Sequence, residues 1–465
     1  MFKHSDFRGK KACVLGGGKS GLASARLLKR KGFKVLLSDG GKAQIPSNII
    51  GGVEVESGGH TKKIFDCDFF IKSPGILPTS PIIKKLKKLK KPIFSEIELA
   101  IAYAPKDIKI YAITGTNGKT TTTEMLSEVM RCHVKEEGKN RKVYTLGNVG
   151  RPFADVADTM QKGSIVVLEI SSYQLEDSAY FRPYAAALLN ITPDHLEHHG
   201  SLKKYIEAKA RIFKDQKNTD AFIFNADDKL CVKLINKPKS RAFSFSLSPT
   251  HPVRVDVFYD GDEIIFADGY RIKPPKNLPG LHNIENAMAA SLLAFVGGVS
   301  QKAIQKGFDA FGGIEHRIEY FAEHKGIKCY NDSKSTNVDS TIIALKALQS
   351  KNKIWLILGG LGKGAPYTPL TKYLEKHCKQ LMLIGADAGQ IKKELKDCVS
   401  MTDAGNIANA VDGVFAKAKA GDILLLSPAC ASFDQFKNFE ERGKIFKEIV
   451  LAKKNKRTKK RKEKK

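Results

Sequence analysis

The run Thr114-Gly115-Thr116-Asn117-Gly118-Lys119-Thr120-Thr121 follows an apolar stretch at 108–113 and precedes a helix-like segment. Strand, glycine-containing turn and Lys-Thr at a helix start form a phosphate-binding arrangement. Glycine lets backbone N–H groups close on an anion, and the positive end of the helix dipole faces it. Lys119 would reach the terminal phosphates, and Thr120 would hold Mg²⁺. The spacing is shorter than the common G-x-x-x-x-G-K-[ST] form, because position 113 is Ile. Glu169 closes a second apolar stretch, 164–168. A carboxylate beside a phosphate loop suits Mg²⁺, which prefers hard oxygen ligands; a helix cap or surface pair is the plainer reading. The run Asp194-His195-Leu196-Glu197-His198-His199 is dense in histidine. No cysteine or carboxylate stands at a recognised zinc spacing, so a flexible loop with one functional histidine is favoured over a zinc site.

Three further polar runs each follow a strand-like stretch. They are Asp332-Ser333-Lys334-Ser335-Thr336-Asn337, Gly359-Gly360-Leu361-Gly362-Lys363-Gly364 and Ser427-Pro428-Ala429-Cys430-Ala431-Ser432. Ligands of doubly wound domains bind at the carboxyl ends of the strands, so the three together predict one shared site. Near the start, Gly16-Gly17-Gly18-Lys19-Ser20-Gly21 sits between strand-like 11–15 and a helix-like run, with Asp39 after the next strand. Taken alone this βαβ pattern reads as a dinucleotide site. Ser73-Pro74-Gly75-Ile76 is another strand-end loop.

The elements that must position these groups alternate between strand-like and helix-like, which predicts an α/β chain of mostly parallel sheets. Three blocks emerge: 1–105, 106–311 and 312–451, each doubly wound. The segment 452–465 is a basic tail. Lys453–Lys465 carries ten Lys/Arg against one Glu, a like-charge block expected to be disordered. The 465 residues suit several domains, and 42% hydrophobic residues suffice for buried cores. Eight scattered cysteines form no CxxC pair, so neither a zinc ribbon nor a disulfide framework is signalled. The N-terminus lacks a signal-peptide layout, and no apolar run approaches the ~20 residues of a membrane span. A cytoplasmic protein is expected. The net charge of +29, with lysines at 84, 85, 87, 88, 90 and 91, reads as a solvated basic surface. Contact with RNA or a membrane surface remains an accessory reading.

TGTNGKT, the EISSYQLE around Glu169, LNITPDHLEHHG and GLHNIENAMAA occur here in an order that resembles the Mur ligase family. The resemblance spans essentially the whole chain except the tail. It implies a Rossmann-like first domain for a UDP-sugar, a central P-loop ATPase and a Rossmann-like third domain. NDSKSTN and LLLSPACASFDQFKNFEERG resemble the D-glutamate-adding branch. The implied reaction is ATP-dependent ligation of D-glutamate to UDP-N-acetylmuramoyl-L-alanine through an acyl phosphate. On this resemblance the first glycine turn would cradle a UDP diphosphate rather than NAD.

Site residues follow from the same resemblance. Gly115, Thr116, Asn117, Gly118, Lys119, Thr120 and Thr121 would hold ATP, with Asn286, Arg317 and Asp332. Thr120, Glu169, His195 and Lys209 would hold Mg²⁺, Lys209 as a carbamate, since a bare ammonium cannot bind a cation. Lys119, His195 and Lys209 would be the catalytic set; His195 is read as a metal ligand before a general base. Lys19, Ser20, Asp39, Ser73, Gly75 and Asn148 would meet the UDP-sugar, and Ser171 would be a further substrate-binding residue. Thr336, Lys363, Ser432 and Phe439 would meet D-glutamate. The family often has an acid where Leu361 stands. It also has an arginine after the Asp39 strand, where this chain has Gly40-Gly41-Lys42. A monomer with no obligate nucleic-acid partner is expected. The rival readings are a sister amide ligase using L-alanine or a folate, a nicotinamide oxidoreductase, and a nucleic-acid- or membrane-binding protein.

Overall fold

The strands β1 (Lys11–Leu15) and β4 (Phe69–Lys72) are buried along nearly their whole length. That pattern belongs to strands covered on both faces, and it is why their sequences run apolar without alternation. The structure is a computed structural model. It describes every residue except Met1, 42–44, Ser47, Lys139, Val149, His195, Asn236, Asn277, Pro279, 349–352 and 463–465. At Leu196 and 454–462 only the backbone is described. His195 and Lys42, both singled out from the sequence, therefore lie outside the described residues.

Between β1 and β4 come β2 (Lys34–Asp39) and β3 (Glu54–Ser57), and β5 (Ile93–Ser95) follows. They form a parallel sheet ordered β3-β2-β1-β4-β5. The second sheet contains β6 (Lys109–Thr114), β7 (Val143–Gly147), β8 (Ile165–Glu169), β9 (Ala185–Leu188), β10 (Ala221–Asn225) and β11 (Arg241–Ser246). It continues through β12 (Val257–Tyr259), β13 (Ile264–Phe266) and β14 (Arg271–Ile272). Its order is β14-β13-β12-β11-β10-β9-β6-β8-β7. The β12–β13 and β13–β14 pairs are antiparallel. These short edge strands were not foreseen, because two or three residues carry too little periodicity to be read.

Both sheets belong to one compact unit, Met1–Pro274 with Leu281–Ala310. Several bonds tie them together. Lys72 Nζ donates to Asp177 Oδ2 at 2.5 Å, and the pair is largely buried. Arg30 grips Asp158 through Nε and Nη2, and the Ala154 N–H donates to Glu96 Oε1 at 2.6 Å. Burial pushes the Glu96 carboxyl up to about 7.

The second unit, Pro275–Gly280 with Phe311–Lys465, holds β15 (Glu319–His324), β16 (Ile327–Asn331), β17 (Ile354–Gly359), β18 (Cys378–Ile384), β19 (Met401–Gly405) and β20 (Ile423–Leu426). The order is β15-β16-β20-β17-β18-β19, with β15 antiparallel to β16 and the remaining pairs parallel. The final helix, Phe439–Lys462, reaches into the basic segment for which disorder is expected. Past Gly443 it meets no glycine or proline, and lysine and arginine are good helix formers. The helix therefore continues through residues that the charge run alone reads as unstructured.

Candidate functional site

Gly118 caps the helix Lys119–Glu137 in the left-handed region, at φ 83°. A Cβ there would stand 2.1 Å from Asn286 Oδ1, so only glycine lets the loop lie against that asparagine. Asn286 is buried and accepts from Thr122 Oγ1 at 3.3 Å. Thr120 and Thr121 are buried in the first helical turn. Lys119 Nζ turns back on the loop and donates to the carbonyls of Gly115 (2.9 Å) and Thr116 (2.7 Å).

Lys209 reaches the same carbonyl from the helix Leu202–Lys214, with Nζ to Gly115 O at 2.8 Å. It is 1% exposed. Burial, then the nearby Lys119 charge, bring its ammonium down to about 7. A lysine so shifted carries a substantial neutral fraction near neutrality.

Sequence reading missed Asn190. Its Oδ1 accepts from the Asn117 N–H at 2.8 Å, its Nδ2 donates to Asn117 O at 3.2 Å, and its carbonyl accepts from Thr116 N. Thr116 Oγ1 accepts from Thr192 N and lies 3.0 Å from the Tyr205 hydroxyl. The loop is thus braced from beyond β9. The amides of Thr116 and Asn117 face Asn190, and the first helical turn is left to meet an anion.

Glu169 ends β8, 1% exposed. Its Oε1 accepts from Asn148 Nδ2 at 2.8 Å, while Oε2 is buried without a hydrogen-bond partner. A buried carboxylate oxygen is costly unless paired, and a hard cation is the partner its chemistry fits. The structure therefore joins Asn148 to Glu169. Ser171 caps the helix Ser172–Asp177, its Oγ accepting from Gln174 N in a capping box. The histidine run is not wholly a loop, since Leu196–His199 is a short helix. His198 and His199 bond to Glu176 and Ser172 on the neighbouring helix.

In the first sheet, the Gly17 N–H donates to Asp39 Oδ2 at 2.5 Å and the Gly41 N–H to Oδ1 at 2.7 Å. Gly21 packs against the turn, where a Cβ would stand 1.8 Å from Gly16 O. Ser73 Oγ donates to Gly16 O at 3.2 Å. Lys19 and Ser20 open the following helix, and Gly75 is exposed nearby in sequence. A cavity of about 710 Å³ lies here, lined among others by Gly16, Asp39, His60, Phe65, Ile76 and Lys85. His60 was not read from the sequence. Its Nδ1 lies 2.6 Å from Ser38 Oγ.

In the second unit, the three polar runs follow β16, β20 and β17, which are adjacent and parallel. Ser427 Oγ donates to Asp332 Oδ2 at 2.7 Å, and Leu361 and Ala431 exchange backbone bonds. Burial pushes the Asp332 carboxyl up to about 7. Asp332 and Arg317 line a small cavity of about 160 Å³. Arg442, also missed, is 1% exposed. It donates to Ser333 Oγ and O and to the carbonyls of Cys430 and Ala431, stapling two of the runs together. Phe439 O accepts from Ser333 Oγ at 2.8 Å. Ser432 is buried, Thr336 half-buried and Lys363 exposed.

Three family profiles match the chain: the Mur ligase middle domain over residues 113–294, the Mur ligase glutamate ligase domain over 316–430, and the MurD N-terminal domain over 11–82. The chain belongs to the Mur ligase family. Within that family it is similar to the UDP-N-acetylmuramoylalanine--D-glutamate ligase of Elusimicrobium minutum, at 55% identity over 97% of this chain and 100% of that protein. The protein of the same name from Koribacter versatilis is 43% identical over 96% and 98%. Among solved structures, the UDP-N-acetylmuramate-alanine ligase MurC of Thermotoga maritima superposes with a TM-score of 0.59 at 18% identity, covering 96% of this chain and 100% of that one. The MurF ligase of Thermotoga maritima in complex with ADP gives 0.56 at 16% identity, covering 97% and 98%. At these identities the two structures speak to the fold, a three-domain α/β architecture.

Proposed function

We propose that the chain ligates D-glutamate to UDP-N-acetylmuramoyl-L-alanine in the cytoplasm, splitting ATP to ADP and phosphate. The observation that carries this reading is the 55% identity to a D-glutamate ligase along the full length of both chains. The alanyl carboxylate attacks the γ-phosphorus, and ADP leaves with the electrons of the broken P–O bond. The amine of D-glutamate then adds to the acyl carbon. The tetrahedral intermediate expels phosphate, and the nitrogen gives up its proton.

The main barrier is the approach of a carboxylate to a triphosphate, both anionic. The first-turn amides of the helix Lys119–Glu137 and the Lys119 ammonium lower it by meeting the phosphate oxygens. Asn190 and Asn286 keep the loop in the shape that aims those donors. Glu169, Thr120 and a carbamylated Lys209 would hold Mg²⁺, and the burial of Glu169 Oε2 without a hydrogen bond supports that assignment. Bound there, the ion would supply positive charge against the phosphates. Asp39 and the Gly16–Gly21 turn hold the UDP part, and the runs after β16, β17 and β20 hold D-glutamate.

The test is phosphate release from ATP with Mg²⁺ and UDP-N-acetylmuramoyl-L-alanine, scanning D-glutamate, L-glutamate, L-alanine and no amino acid. Release with D-glutamate alone is the expected result. Release with another amino acid would overturn the acceptor, and release with none would overturn the ligase reading.

A further inference from the structure

The helix Ser172–Asp177 and the short helix Leu196–His199 bring three potential metal ligands to one point. Glu176 Oε2 lies 3.1 Å from His198 Nε2 and 3.6 Å from His199 Nδ1. One ligand atom from each of the three residues falls within 4.8 Å of the others. We propose that Glu176, His198 and His199 form a binding site for a borderline divalent transition metal, Zn²⁺ in the first instance. Its three ligands are none of the residues proposed for Mg²⁺, and Tyr205, whose ring lies 5.3 Å from that of His199 and whose hydroxyl is 3.0 Å from Thr116 Oγ1, stands between it and the phosphate loop.

The two separations from Glu176 match the chemistry. With Zn–N and Zn–O bonds of about 2.0–2.1 Å, the ligand atoms of a tetrahedral site stand roughly 3.3 Å apart. The two measured separations, 3.1 and 3.6 Å, straddle that value. Two imidazoles and one carboxylate select a borderline metal over Mg²⁺ or Ca²⁺, which take oxygen.

The surroundings suit ligation as well. A metal-bound histidine usually bonds through its other ring nitrogen, which fixes tautomer and orientation. His199 does so, with Nε2 3.0 Å from Ser172 Oγ. The Tyr173 ring lies over His198 at a centroid distance of 3.9 Å and holds that ring in place. The His199 side chain is fully buried and that of His198 nearly so, whereas Glu176 is 28% exposed. A fourth ligand, such as water, has access from the Glu176 side. Spacing along the chain hides the site, because Glu176 precedes His198 by 22 residues.

The experiment titrates chelator-stripped protein with Zn²⁺ against a chromophoric competitor in excess Mg²⁺. The chains compared are the wild type, His198→Gln, Glu176→Gln and, as a control for the phosphate-loop site, Glu169→Gln. Wild type and E169Q should each retain one Zn²⁺ equivalent, and H198Q and E176Q should lose at least roughly tenfold in affinity. Either no retained Zn²⁺ in the wild type or an H198Q affinity equal to wild type overturns the site. X-ray absorption at the zinc edge of the loaded wild type reads the same question without a variant. Imidazole scattering is expected there, and a shell of oxygens alone overturns the assignment.

Discussion

Lys119 and Lys209 donate to one acceptor, the carbonyl oxygen of Gly115, at 2.9 and 2.8 Å. Two ammonium groups on one oxygen repel each other. Burial of Lys209 and, after it, the charge of Lys119 lower the Lys209 pKa while that side chain remains in place.

With its pKa near 7, Lys209 is roughly half neutral at pH 7. A neutral amine can attack CO₂, forming an N–C bond and releasing a proton, and it thereby becomes an anionic oxygen donor. Protein equilibrated with ¹³C-bicarbonate should show one carbamate carbon resonance that Lys209→Met abolishes. Its absence from the wild type, together with activity indifferent to CO₂ removal, would refute the carbamate.

Asn190→Ala deletes both side-chain bonds to Asn117. The cost is about 1–3 kcal/mol, read as roughly a tenfold to hundredfold rise in the KM for ATP. The KM for D-glutamate should stay unchanged. Equal shifts in both constants would mean that Asn190 supports the fold in general rather than the loop.

Glu169→Gln keeps the shape and the bond from Asn148 but removes the charge. The Mg²⁺ concentration needed for half-maximal rate should rise, and kcat should fall roughly 100-fold at saturating ATP. An unchanged Mg²⁺ requirement would remove Glu169 from the cation site.

Asp332 titrates near 7 in the fold, against 3.8 for the ordinary group. Below 3.8 both folded and unfolded forms are protonated, and nothing is lost. Between 3.8 and about 7 the unfolded chain ionises first, so wild-type stability drops as pH rises. Above about 7 the loss is constant. Thermal midpoints of Asp332→Asn should therefore gain on wild type from about pH 4 to pH 7 and run parallel beyond. Parallel curves throughout would show that the carboxyl is not perturbed.

The loops that carry chemistry were legible because strands buried on both faces are uninterrupted apolar runs, and each ends abruptly in glycine, serine or asparagine. TGTNGKT after β6 and Asp332 after β16 are read that way. Their braces were not legible. Asn190 meets Asn117 across 73 residues, and Arg442 sits in a charged helix where nothing marks it as buried. His60 reaches Ser38 across 22 residues, from a segment with no periodicity of its own. The antiparallel edges were lost for a different reason. β14 spans two residues and β15 alternates only weakly, so tertiary pairing decides what the local pattern does not.

The Lys72–Asp177 bond has a consequence for descent. A buried charge stripped of its partner costs about 3–5 kcal/mol, a large share of what keeps a domain folded. Neither position can drift alone. Loss of the amine alone therefore strands a largely buried carboxylate 105 residues away, so a change at one of these sites is best tolerated with a matching change at the other.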